Sequence, residues 1–192
     1  MLPVDTPRHL ERLRAFHRRA EAILGLPDSV LLEPVARVSA WSPIQQLFHV
    51  LLANELAYRN IRLIAEGTSP WLVAGGGPNL LGFLVLRAEH IPRGRAKAPR
   101  IVVPPKRPNP AIVRDTLRSN AAALESIAAG LEGVLRAGRR DGGTGIPHQD
   151  LGNLGPALWI AFAAIHGHHH LELCEEILAR APVPDHGGAA PA

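Results

Sequence analysis

The sequence has a single cysteine, a single methionine and two lysines in 192 residues. With only Cys174 available, no intrachain disulfide can form, and neither a CxxC pair nor a cysteine-rich zinc module exists. No stretch approaches the roughly 20 apolar residues that a bilayer-spanning helix requires. The N-terminal segment MLPVDTPRHLERLRAFHRRAEAILGL has charges spread through it and lacks the apolar core of a signal peptide. These absences lead us to expect a soluble cytoplasmic protein, with no membrane partner and with a core built without covalent staples. A length of 192 residues suits one domain.

The formal net charge of +4 invites a nucleic-acid reading. Its distribution argues against one. Arg87 to Arg107 holds seven of the 21 Lys and Arg but only Glu89 of the 17 acids, so the remainder carries 14 against 16. The excess belongs to one loop, and that loop has no aromatic platform on which bases could stack. No nucleic-acid partner is expected.

Four of the pairs in which a capping residue precedes a proline, Thr6-Pro7, Ser42-Pro43, Asn109-Pro110 and Gly155-Pro156, stand ahead of the long apolar series. Proline is favoured at the first helical position because its missing N–H would have no intrahelical partner there. At the second start, Ser42 and Gln45 also read as a capping box. Stop signals follow at Gly25 with Pro27, at Gly67, at Gly138 and at Pro182.

Apolar residues recur at helical spacing between these signals. The series are Leu10, Leu13, Phe16, Ala20, Ile23, then Ile44, Leu47, Leu51, Tyr58, Ile61, then Leu117, Leu124, Ile127, Leu131, Val134. Strand patterns are scarce, and the best, RIVVP at Arg100 to Pro104, ends in proline.

An all-α four-helix bundle over residues 1–181 is therefore expected, with 182–192 as a disordered tail. The connection from Gly67 to Asn109 is long enough to cross the bundle, allowing an up-down-down-up order. We expect a short helix after Pro78 and an irregular, exposed strap rich in proline and arginine from Arg87 to Arg107.

Four of the ten histidines lie in IHGHHHLE, Ile165 to Glu172. The cluster is internal, so it is no purification tag. On the fourth helix the apolar series Leu154, Leu158, Phe162 resumes at Leu173 and Ile177, and the steps between land on His166 and then on His169 or His170. Histidine thus occupies positions that the pattern reserves for the core. An HxxxH pair projects two imidazoles from one helix face, a spacing that suits one metal ion.

Spacing alone equally describes a surface pair or a hydrogen-bonded core pair. His49, set among Leu47, Phe48, Val50 and Leu51 near the start of the second helix, is a candidate third ligand. His169 remains an alternative to His170, whereas His168 points away from His166. His9 and His17 are expected on the polar side of the first helix. His90 lies in the strap, His186 in the tail, and His148 in a loop, a position that favours a structural or solvent role over lining a cleft mouth with Asp150.

Two segments, WSPIQQLFHVLLANE at Trp41 to Glu55 and HQDLGNLGPALWIAFAAIHGHHHL at His148 to Leu171, resemble the DinB/YfiT superfamily, specifically a branch known chiefly as a bacterial domain of unknown function. The strap HIPRGRAKAPRIVVPP resembles that branch's basic crossover. The resemblance implies an up-down-down-up bundle with a three-histidine metal site, carried over by motif position to His49, His166 and His170. Trp159 and Gly152 match further motif positions, whereas Gln149 departs from a frequent proline and Leu173 from a frequent glutamine.

It also implies a divalent metal (Zn, Ni or Fe), a small-molecule substrate, and a low-molecular-weight thiol whose carboxylates the strap arginines could hold. The function expected from the resemblance is a metal-dependent enzyme of the thiol transferase or hydrolase type. The alternative is a non-catalytic metal-binding or stress-response module, and a homodimer is compatible with both.

Overall fold

The computed structural model describes residues 3–94 and 97–180; the tail expected at 182–192 lies outside them. Among the described residues the chain is mostly helical, with a small three-stranded sheet. The helices are α1 (Thr6–Leu24), α2 (Asp28–Leu31), α3 (Pro43–Glu66), α4 (Leu80–Ala88), α5 (Pro110–Ala129), α6 (Leu131–Ala137) and α7 (Pro156–Arg180).

The start signals act locally, largely as their chemistry dictates. Asp5, one residue before the expected cap, accepts from Arg8 N at 3.1 Å. Gln45 Oε1 accepts from Ser42 N at 3.1 Å, and Asn109 Oδ1 accepts from Ala111 N at 2.9 Å. Gly67 ends α3 in the left-handed conformation, φ 72°, which glycine adopts without steric cost. The helix expected to run from Asn109 to Gly138 is instead interrupted at Gly130 and continues as α6.

Contacts along the helices fix their directions. Arg14 pairs with Glu125 while Arg114 reaches Leu24 O, so α1 and α5 run antiparallel. His49 meets His166 while Cys174 Sγ lies against Pro43 O, so α3 and α7 run antiparallel as well. The most extensive packing is of α3 and α1 on α7. Gly167 allows close approach there, since a Cβ at this position would lie 3.1 Å from the Phe16 ring. No described helix is long and apolar enough to cross a membrane.

The sheet was not expected. Strands β1 (Val73–Ala74), β2 (Thr144–His148) and β3 (Gly152–Leu154) pair antiparallel in the order β1-β2-β3. The short helix after Pro78 is present as α4, capped by Asn79 Oδ1 accepting from Gly82 N at 2.8 Å. Asn79 N also donates to Leu151 O at 2.9 Å, which docks the helix on the β2–β3 turn.

Helix α4 takes in Arg87 and Ala88, where the strap was expected to begin; the rest of the strap's described part is irregular apart from a single 3-10 turn at Arg100–Val102, the segment that carried the best strand pattern. Its near end is tied down by Glu89, whose carboxylate receives Arg8 at 2.9 Å and Arg12 at 2.6 Å. Its far end is held by the buried Val102 side chain and by Gln45 Nε2 donating to Pro105 O at 3.1 Å. At Arg100–Val102 the strap lies against α3 beside His49.

Candidate metal centre

The structure brings His49, His166 and His170 together, with one ring nitrogen from each lying within 4.8 Å of the others. The antiparallel pairing of α3 and α7 puts a residue one and a half turns into α3 opposite the third and fourth turns of α7. His49 Nε2 lies 3.1 Å from His166 Nε2. Nitrogens sharing a tetrahedral ion at 2.0–2.1 Å sit about 3.3 Å apart, so the His49–His166 pair already has that spacing and His170 needs to close by no more than about 1.5 Å.

Two of the rings have their tautomers set from behind. His49 Nδ1 lies 2.8 Å from the carbonyl oxygen of Val102, to which only a protonated nitrogen can donate. His170 Nδ1 lies 2.6 Å from Gln46 Oε1. Gln46 is itself oriented, because its Nε2 donates to Ser39 Oγ at 2.8 Å and so turns Oε1 toward the imidazole. Both rings keep their Nε2 lone pairs for the shared point between α3 and α7. Backing of this kind, a carbonyl or amide oxygen on the distal N–H, is what orients metal-bound imidazoles. The Nδ1 of His166 is buried without a hydrogen-bond partner, and its ring stacks on Phe162 with an interplanar angle of 12°.

Burial keeps these rings neutral. Desolvation holds His49 below the ordinary histidine range, and holds His166 and His170 well below it. Neutral imidazoles retain the lone pair that a metal needs. His169 is buried, with its ring edge-on to His170, but it is not one of the three convergent residues. His168 is exposed and lies 3.5 Å from Glu172.

The triad lies at the wall of a cavity of about 680 Å³. Trp41, Leu56, Val85, Ile91 and Phe162 contribute apolar wall, and His148 and Asp150 line it too, although His148 ends β2 rather than lying in a loop. Trp159 also lines it, its ring 5.5 Å from that of His148. Gly152 works in the turn below: its φ is 85°, and a Cβ there would lie 2.5 Å from Asn79 N.

Other expectations meet a different outcome. His9 and His17 are buried rather than on a polar face, because α1 is covered by both α5 and α7. Arg93 is engaged with Glu176 on α7, Arg95 lies outside the described residues, and the strap cation found lining the cavity is Lys97. Gln46 and the Val102 carbonyl were not anticipated. The only trace of Gln46 was a second polar side chain after the capping Gln45, one helical turn ahead of His49.

No family model, curated protein or solved structure matches this chain.

Proposed function

We propose that the chain is a divalent-metal-dependent enzyme of the DinB/YfiT type, of the thiol transferase or hydrolase class, folded as an up-down-down-up four-helix bundle. The helix directions and the long crossover support the bundle. One observation carries the site: three neutral imidazoles converge at the wall of a sizeable cavity, two of them with their distal N–H groups already committed to oxygen acceptors.

In this reading His49, His166 and His170 hold the ion through Nε2. The ion, when bound, supplies Lewis acidity at a coordination position that the three protein ligands leave open. The protein's own contributions are more specific. Val102 O and Gln46 fix the ring orientations, Phe162 backs His166, and the apolar walls exclude water from the reacting groups. A closed structural site would instead present a fourth protein ligand and no cavity.

The test is elemental analysis of protein purified without a histidine tag, followed by reconstitution with Zn, Ni and Fe(II). One equivalent of metal, lost in His49→Ala and His170→Ala, is expected. Absence of stoichiometric metal after reconstitution overturns the site. The loaded protein is then assayed with a low-molecular-weight thiol plus a chromogenic aryl halide, and with chromogenic esters. Metal binding without turnover in any of these assays favours the non-catalytic module.

A further inference from the structure

The cavity carries more information than the triad. Its described lining includes two charged side chains, Lys97 and Asp150, and both are exposed. The other polar side chains of the lining are uncharged, namely neutral imidazoles, Asn60, Gln149 and the indoles of Trp41 and Trp159, and most of the remaining surface is carbon. A ligand with several charges would lose its hydration there without gaining counter-charges. An apolar ligand would gain from every methylene it buries.

The carbon surface also continues outward. Leu81 and Ile101 line the cavity yet are 51% and 69% exposed, and Leu84 and Phe83, on the same helix as Leu81, are exposed as well. Apolar exposure on this scale at a cavity rim is a feature of ligand-binding mouths.

One polar group is prepared for an acceptor. The backbone N–H of Asp150 donates to His148 Nδ1 at 3.1 Å. That nitrogen must therefore carry a lone pair, and the proton of the neutral ring sits on Nε2. Among the described residues no acceptor receives this Nε2–H. The ring packs against both Trp159 and Phe162, at centroid distances of 5.5 and 4.7 Å, and Phe162 in turn stacks on His166. A donor of fixed tautomer thus stands one aromatic ring away from the triad.

We propose that the cavity binds a small molecule with an extended apolar body and one uncharged hydrogen-bond-accepting head group. The head accepts from His148 Nε2–H beside the triad, and the body leaves between Leu81 and Ile101. This names the substrate class of the metal site and so rests on that reading, but its test needs no metal.

The metal-free protein is titrated with N-phenyl-1-naphthylamine, a neutral apolar fluorophore, using energy transfer from the tryptophans, of which Trp41 and Trp159 line the cavity. Primary alkyl amides from butanamide to decanamide then compete for the site. Affinity should rise about threefold to fourfold per methylene until the chain clears the rim. His148→Phe, which preserves the aromatic packing, should weaken amide binding about fivefold while leaving the fluorophore's affinity intact. His148→Gln, which restores a donor, should recover part of the loss.

Leu81→Asp at the exposed rim should weaken long amides more than short ones. Failure of the fluorophore to bind, an affinity independent of chain length, or equal amide affinity in wild type and His148→Phe overturns the proposal. Loss of the metal reading would leave these curves unchanged, and failure here would leave the metal content unchanged.

Discussion

Gln46 Oε1 lies 2.6 Å from Nδ1 of His170, and the same amide donates through Nε2 to Ser39 Oγ. The chain Ser39–Gln46–His170 therefore selects which imidazole nitrogen faces the cavity, across two helices and a loop. Gln46→Ala removes the acceptor and leaves His170 free to flip or change tautomer. Loss of an outer partner of a ligating histidine typically costs 10- to 100-fold in metal affinity. That range is expected here by calorimetry with Zn, with little change in the circular dichroism of the helices. An unchanged affinity would show that His170 does not depend on this contact.

The histidine cluster of α7 should divide by direction. His166 and His170 are one turn apart and converge with His49, whereas His168 is exposed beside Glu172. His166→Ala and His170→Ala should each abolish stoichiometric metal binding, and His168→Ala should leave it within about twofold of wild type, since the change is confined to a solvated surface. Metal content per chain after dialysis reads the difference. Equal losses in His168→Ala and His170→Ala would mean loose chelation by the whole cluster.

The features readable in advance are those whose causes are local. Where proline after a capping residue precedes a long apolar series a helix starts, so α1, α3, α5 and α7 begin at or within a residue of the expected places, whereas Ser69-Pro70, with no such series after it, makes only a turn. His49 and His166 were readable as candidates because histidine replaced apolar residues at core spacing on α7 and sat in an apolar run on α3, whereas spacing left His169 and His170 as alternatives and the motif resemblance pointed to His170.

The sheet was not readable, since β1 and β3 are two and three residues long and pair with β2 from opposite sides in sequence. Strands that short show no alternation. His9 and His17 were misplaced because the expected stripe on α1 was too narrow: a helix covered on two sides buries a wider arc, and Leu10, Leu13, Phe16 and His17 all fall within it. The role of Gln46 depends on Ser39 Oγ lying where it accepts from Gln46 Nε2, which spacing along the chain cannot convey.

Gly82 should prove intolerant of a side chain. An added Cβ would lie 2.2 Å from the carbonyl oxygen of Leu151, and backbone cannot retreat as a flexible side chain can. Gly82→Ala should lift α4 from the β2–β3 turn, at a cost of about 1 to 3 kcal/mol of stability. Because Leu81 and Val85 of α4 line the cavity, fluorophore affinity should fall with it. Urea denaturation and the naphthylamine titration read the two effects, and wild-type values in both would show that α4 docks more loosely than described.

His17 offers a test of pH dependence away from the metal centre. Its ring is buried with Nε2 unpartnered, and burial lowers its pKa from the ordinary 6.5 to about 4. Above the unfolded value the ring is neutral in both states and contributes nothing to the pH dependence. As pH falls below about 6.5 the unfolded chain takes up a proton that the folded chain refuses until about pH 4. The unfolded state therefore binds more protons throughout this window, and stability falls with falling pH. A shift of this size corresponds to about 3 kcal/mol once the window is fully crossed. His49, His166 and His170 shift in the same direction and steepen the decline in metal-free protein. His17→Leu removes one titrating ring from an apolar position, so its stability should depend less on pH while the decline from the triad persists. Urea midpoints of metal-free wild type and His17→Leu, measured between about pH 7 and pH 4.5, provide the comparison. The wild-type loss should exceed that of the variant by about 2 to 3 kcal/mol. Parallel curves would mean that His17 protonates as readily in the folded chain as in the unfolded one, through water reaching its Nε2.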